Sequence, residues 1–113
     1  MHRIDELLGA DAVLLTPTVA SPGWLADGRL NEESPIDGLP PEVYSTALQN
    51  VTGNPALSVP CGYLDNGLPF GLQITAPHYF DAQLLDLADR WEAAFPWPRS
   101  APGYVPLDEA LGL

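Results

Sequence analysis

The chain has 113 residues, 46% of them hydrophobic, which allows one small domain with a single core. Fifteen acidic residues oppose four arginines and no lysine, and the net charge of −11 argues against nucleic acid or an anionic membrane as a partner. The lack of lysine also excludes a Schiff base and a P-loop. With one cysteine and two histidines, an internal disulfide is impossible, and we expect neither a metal site nor a cofactor.

Targeting signals are not visible in the sequence. The first eight residues lack an apolar core after a basic region, so they do not resemble a signal peptide. Apolar stretches stay well short of the roughly 18 residues that a membrane-spanning helix requires. We therefore expect a cytoplasmic protein.

The N-terminal half contains three predicted elements and one long loop. Residues 2–9 resemble the end of a helix that Gly9 terminates. The apolar run 12–15, stopped by a proline, predicts a strand buried inside a sheet with helices on both sides. Residues 17–41 are rich in proline, glycine and acids and predict a long loop. Residues 42–50 predict a short helix.

Two strands joined by a turn are predicted next. Residues 56–61 place Leu57 and Val59 on one strand face. The segment 65–67, Asp-Asn-Gly, is a turn signal before a second strand at 70–76. The pattern therefore predicts an antiparallel hairpin.

The clearest pattern is an amphipathic helix over residues 81–95. Asp81 is placed to act as its N-cap, and Asp86 and Arg90 stand four residues apart as a surface ion pair. The tail, 99–113, predicts surface coil with a weak last turn.

Candidate chemical groups are isolated in the sequence. No serine lies in a Gly-x-Ser-x-Gly elbow, and Ser58 falls inside a predicted strand. We see no acid or nucleophile arranged around His78, and Cys61 lacks a nearby cation, so an inert, partly buried thiol is expected. Asn50 matches a glycosylation pattern, but a left-handed cap at the end of the short helix is the better interpretation. From these residues alone, we find no catalytic constellation.

Three stretches together resemble the C-terminal part of amidase signature enzymes. They are residues 11–18 (DAVLLTPT), 50–62 (NVTGNPALSVPCG) and 67–74 (GLPFGLQI), followed at the family's spacing by the terminal helix and Pro-Trp-Pro. Order and spacing agree over roughly residues 3 to 102. The resemblance implies an α/β fold, a mixed β-sheet flanked by helices, of which residues 1–113 form a single partial domain.

The resemblance also implies chemistry that this chain cannot complete. The family hydrolyses amides, or transfers ammonia from them, with a Ser–cis-Ser–Lys triad that lies in the N-terminal and middle parts of a much longer chain. This sequence contains neither a lysine nor the family's Gly-Ser-Ser-rich signature. We therefore assign no catalytic residue here and expect the chain to be inactive alone.

Four substrate-binding residues follow from the resemblance. The short helix before the Asn-x-x-Gly stretch lines the family's acyl pocket, which assigns Val43 and Ala47 to the pocket and, less directly, Pro40. Tyr79 aligns with a pocket aromatic between the last strand and helix. Members acting on glutamine-charged tRNA carry an acid where Val43 aligns, so an apolar Val43 indicates an apolar or aromatic acyl group.

Three functions remain open at this point. The first is a piece of an amidase-type hydrolase whose partner is the rest of the chain or another subunit, with exposed strand edges that favour self-association. The second is a stand-alone, acidic, non-catalytic interaction module, for which polar strand faces would be expected; the run 12–15 lacks them. The third and least favoured is a minimal hydrolase that pairs His78 with a serine.

Overall fold

The structure, a computed structural model, describes residues 3–19, 27 and 43–113. This part of the chain contains both helices and strands, as expected for an α/β fold. The elements are α1 (Arg3–Leu8), β1 (Leu14–Pro17), α2 (Ala47–Thr52), β2 (Ala56–Tyr63), β3 (Pro69–Thr75), α3 (Asp81–Ala94) and α4 (Leu107–Ala110). Apart from residues 17–19 and 27, the predicted loop 17–41 lies outside the described residues, and Pro40 lies there with it. No described helix is both long and apolar enough to cross a membrane.

The predicted hairpin is confirmed. Strands β2 and β3 pair antiparallel, with Leu57 opposite Ile74. Gly67 in the connecting turn has φ +83°, a conformation that favours glycine because it lacks a Cβ. A bulge between Pro60 and Gly62 interrupts the ladder. Pro60 is tolerated because β2 lies at an edge of the described sheet and needs no second partner there.

The prediction of an interior first strand is wrong for the described residues. The strand begins at Leu14, and the sheet order β1-β3-β2 leaves it at an edge. It pairs antiparallel with β3, from Leu14 opposite Thr75 to Pro17 opposite Leu72. Leu15 stays 55% exposed because the described elements cover only part of this strand's surface. An apolar run indicates a surface that can be buried, but it does not show which neighbour buries it.

The short helix is displaced from its predicted bounds. It spans Ala47–Thr52 rather than 42–50, and turns occupy residues 44–46. Asn50, the predicted left-handed cap, lies within the helix instead. The left-handed residue is Gly53, with φ +76°, whose amide donates to the carbonyl of Gln49 at 2.8 Å. Glycine is preferred there because the left-handed cap strains residues that have a Cβ.

The terminal helix forms close to its predicted bounds and covers one face of the sheet. Its N-cap is Phe80 rather than Asp81, which instead lies in the first turn. The predicted Asp86–Arg90 ion pair is present at 3.1 Å on the surface. The hydrophobic residues that are buried in the described chain are Val59 of β2, Leu84 of α3, Ile74 of β3 and Ala76, which follows β3.

The two faces of β3 differ in chemistry. Ile74 faces the apolar core, whereas its neighbours Gln73 and Thr75 are buried on the opposite face, where α2 and the turn before it lie. Each face of the central strand is therefore covered by a different helix.

The C-terminal segment after α3 lies on the surface. Residues 98–113 are all exposed, and the single turn α4 is the regular element within them. The ring of Trp97 stacks on Tyr63 of β2, with centroids 4.9 Å apart, and so attaches the start of this segment to the hairpin.

Candidate functional site

The residues assigned to a substrate pocket occupy different settings. Val43 and Ala47 are both half-buried and lie at the two ends of the turn that leads into α2. Val43 precedes the helix, so the two residues share a segment rather than one helical face. Tyr79 is 92% exposed, so the described structure does not bury its ring against that segment. Pro40 falls outside the described residues.

Tyr79 has an unusual backbone. Its φ is +68°, the only positive value among the non-glycine residues that the structure describes. A residue with a Cβ is strained in this conformation by roughly 1–2 kcal/mol. Tyr79 follows His78, and the contacts of His78 hold the connection between β3 and α3. The rings of the two residues are tilted against each other, with centroids 6.2 Å apart.

A polar network lies between β3 and the segment that carries Val43 and Ala47. The side-chain amide of Gln73 donates to the carbonyl of Ser45 at 2.8 Å and to the hydroxyl of Thr16 at 3.3 Å. The amide of Gln49 contacts the Thr75 hydroxyl at 2.8 Å. These contacts join β1, β3 and α2 through groups that are largely removed from solvent. Nothing in the local sequence pattern identified Gln73 or Gln49 in advance.

A charged cluster joins α1 to the residues after β3. His78 Nδ1 lies 2.6 Å from Asp5 Oδ2, and His78 Nε2 lies 3.0 Å from the carbonyl oxygen of Thr52. The backbone amide of His78 also donates to Asp5 Oδ1 at 3.1 Å. Because both ring nitrogens face acceptors, the geometry fits the doubly protonated imidazolium. The expectation that no acid is arranged around His78 is therefore wrong.

The titration of this pair reflects its contacts. The hydrogen bond to Asp5 raises the pKa of His78 above its ordinary value of 6.5, against the effect of burial, and the Thr52 carbonyl adds to the rise. Burial acts to raise the pKa of Asp5, but the hydrogen bonds from His78 and Asn54 outweigh it and lower that pKa below 3.8. Both shifts favour the charged forms of the two groups, and the ion pair is therefore favoured at pH values between the two pKa values. Asp5 and His78 are 73 residues apart, so no local sequence signal could indicate their contact.

Asn54 completes the cluster from the loop after α2. Its side-chain NH₂ donates to Asp5 Oδ1 at 2.8 Å and to the carbonyl of Ala76 at 3.0 Å. The residue is 5% exposed, and its Oδ1 is buried without a hydrogen-bond partner among the described residues. Asn54 thus connects α1 to the end of β3 and has a structural role in the described chain.

The other nucleophile candidates do not form a catalytic pair. The hydroxyl of Ser58 bonds to that of Thr18 at 2.5 Å, and it does not bond to His78. The two hydroxyls meet beside Gly71, where an added Cβ would stand 2.5 Å from Ser58 Oγ. Cys61 is exposed rather than partly buried as expected. A minimal hydrolase built from His78 and Ser58 is therefore contradicted by the geometry.

A cleft of about 320 Å³ opens on the other side of the sheet. It lies between the segment 10–13 and α3, and Phe80, Leu84 and Leu87 are among its lining residues. Of the residues assigned to the pocket by resemblance, the described ones, Val43, Ala47 and Tyr79, do not line it. The cleft is thus separate from the segment that carries Val43 and Ala47.

Comparison with known proteins agrees with the resemblance. The family model described as Amidase matches residues 1–85. A Mycobacterium leprae (strain TN) protein, named as an amidase, AmiC, is 44% identical over 102 residues, which cover 87% of this chain and 21% of that protein. A component of the glutamyl-tRNA(Gln) amidotransferase of Azotobacter vinelandii is 36% identical over 114 residues, which cover 91% of this chain and 22% of that component. The component of the same name from Pseudomonas putida (strain F1) is 34% identical over 90 residues, which cover 80% of this chain and 18% of that component.

Each of these relatives is matched over a similar share of its own length. The chain spans about a fifth of the length of the relatives that it matches. No solved structure matches it significantly. Because the family model covers three quarters of the chain, including all three strands that the structure describes, the chain belongs to the amidase family.

Proposed function

We propose that this chain is the C-terminal part of an amidase-type hydrolase and supplies strands of its sheet and one wall of its acyl pocket. The observation that carries the proposal is the 44% identity to a protein named as an amidase, over a region that makes up 21% of that protein. In the complete enzyme, a serine outside this chain attacks the amide carbonyl and an acyl-enzyme forms. The C–N bond breaks as the acyl-enzyme forms, so the protonated leaving group departs as ammonia or an amine. Water then hydrolyses the acyl-enzyme, which releases the carboxylic acid and restores the serine.

The chain alone is inactive in this proposal. The family resemblance requires a catalytic lysine, and none of the 113 residues is lysine. The described serine with the best-defined environment, Ser58, is bonded to Thr18 rather than to a general base. Catalysis therefore depends on residues supplied by the rest of a longer chain or by a partner subunit.

The exposed apolar surface of the first strand supports an incomplete sheet over a stand-alone interaction module. Leu15 of β1 is 55% exposed, and Val13, the residue just before the start of the strand, is 39% exposed. A module that functions alone would be expected to carry polar side chains at such positions, because exposed apolar strand edges promote aggregation. The rest of an amidase is the partner that this surface fits.

The direct test is a C-terminal epitope tag on the native gene, followed by a denaturing blot and by purification through the tag. A band several times heavier than 12.1 kDa would identify the chain as the end of a full amidase. A band near that mass would require a co-purifying subunit. In either case the purified material should release acid from an amide substrate, and its failure to do so on a broad amide panel would refute the proposal.

A substitution tests the assigned pocket wall. We expect Val43→Asp to lower kcat/KM for aromatic amides by at least about tenfold, because a carboxylate would be buried against an apolar acyl group. The matched control is Val51→Asp, since Val51 lies in α2 but is 75% exposed. Equal effects of the two substitutions would show that Val43 does not face the acyl group.

A further inference from the structure

Gln73 is a polar residue in a position where the fold alone would accept an apolar one. It lies in the central strand β3 and is only 5% exposed. Removing an amide from water is unfavourable unless its groups find hydrogen-bond partners. The Gln73 amide finds them outside its own strand, on Thr16 and on the backbone of Ser45.

The contact with Ser45 is directional and fixes a backbone atom. Gln73 Nε2 donates to the Ser45 carbonyl at 2.8 Å across 28 residues of sequence. Ser45 lies midway between Val43 and Ala47, within the turn that precedes α2. A side chain anchored in the sheet therefore sets the position of the segment on which both assigned pocket residues lie.

A second glutamine reaches the same carbonyl from the helix. When the Gln49 amide is oriented to satisfy its neighbours, its oxygen accepts from Thr75 Oγ1 at 2.8 Å and from Gln73 Nε2 at 3.1 Å. Its NH₂ group then donates to the Ser45 carbonyl at 2.6 Å. Thr75 is fully buried, so this hydrogen-bond network is shielded from solvent on the side where it meets the sheet.

We propose that Gln73 is a positioning residue for the acyl-pocket wall, acting through the Ser45 carbonyl on Val43 and Ala47. This inference rests on the proposed function, since it assigns a purpose to the wall that the proposed function describes. Gln73 touches no reacting atom in this account. It determines substrate binding by holding the wall in one place.

The first test measures hydrogen exchange in the protein purified through its C-terminal tag. Gln73→Met keeps a long, unbranched side chain and removes the donor. We expect exchange in residues 43–53 to accelerate by about fivefold, the factor that corresponds to one net hydrogen bond, while the β2–β3 hairpin is unchanged. Gln83→Met is the matched control, because Gln83 is exposed on α3. Equal acceleration in the hairpin, or none in 43–53, would overturn the proposal.

The second test separates positioning from stability in the same purified protein. We expect Gln73→Met to raise KM for aromatic amides by about fivefold and to change kcat by less than about twofold, because the wall contributes to binding throughout the reaction. An unchanged KM with a smaller yield of folded enzyme would overturn the positioning role. If the unsubstituted protein hydrolyses no amide, the proposed function fails instead, and hydrogen exchange still decides whether Gln73 holds the segment.

Discussion

Gly71 allows two hydroxyl groups to meet over the central strand. A Cβ at this position would lie 2.5 Å from Ser58 Oγ and 2.9 Å from Thr18 Oγ1, closer than such atoms approach in real structures. Gly71 has no positive φ, so its backbone would accept alanine without strain. The cost of Gly71→Ala therefore arises from this steric conflict and not from backbone strain.

The opposing contributions predict the sign of the change in stability. Alanine is worth roughly 0.5–1 kcal/mol over glycine in a strand. Overpacking costs about 1–3 kcal/mol, and separating Ser58 from Thr18 loses a hydrogen bond worth about 0.5–1.5 kcal/mol. We therefore expect Gly71→Ala to lower the free energy of unfolding by about 1–3 kcal/mol.

A double-mutant cycle tests the reasoning by urea unfolding, with tryptophan fluorescence as the signal. In a Ser58→Ala background the shortest contact is absent, so Gly71→Ala should cost at least about 1 kcal/mol less. Gly67→Ala is the control, because its cost arises from φ +83° with no atom nearby and should not depend on Ser58. A stabilising Gly71→Ala, or an equal cost in both backgrounds, would refute the steric account.

Three further predictions concern other contacts. The Asp5–His78 pair should stabilise the fold fully between pH 3.8 and 6.5, the ordinary pKa values of the two groups. This contribution should be lost as pH rises through the raised pKa of His78, or as it falls through the lowered pKa of Asp5. Asp5→Asn should flatten the dependence of unfolding free energy on pH near neutrality, and an unchanged profile would contradict this. Trp91→Phe should cost about 1 kcal/mol in urea unfolding, because the indole N–H donates to the Pro60 carbonyl at 3.0 Å; no loss would show that water replaces the bond. Leu15→Lys should shift the isolated chain towards monomer in sedimentation velocity, since Leu15 is an exposed apolar residue of an edge strand; unchanged association would exclude β1 as the contact.

Local pattern was sufficient for the parts of the fold that depend on neighbours in sequence. The hairpin followed from alternation and from a turn signal around Gly67, and α3 followed from helical spacing ended by proline. The family resemblance supplied the fold class from three short motifs. These features need only short-range information, because backbone propensity and side-chain periodicity act within a few residues.

Other features depend on contacts between distant residues, and the sequence did not reveal them. The edge position of β1 depends on which strands lie beside Leu15. The start of α2 at Ala47 accompanies a turn whose carbonyl at Ser45 is held by Gln73, 28 residues away. The Asp5–His78 pair spans 73 residues. A single sequence contains no periodicity that would associate such residues.

The order of the strands in the sheet has a consequence for how the chain folds. The hairpin partners β2 and β3 are separated only by a short turn, whereas β1 meets β3 about sixty residues later in the sequence. Closing the longer loop costs more entropy, so we expect the hairpin and α3 to form first and the N-terminal segment to dock last. That segment is attached along one strand and at Asp5. It is therefore the region at which local opening should begin, with the hairpin still intact.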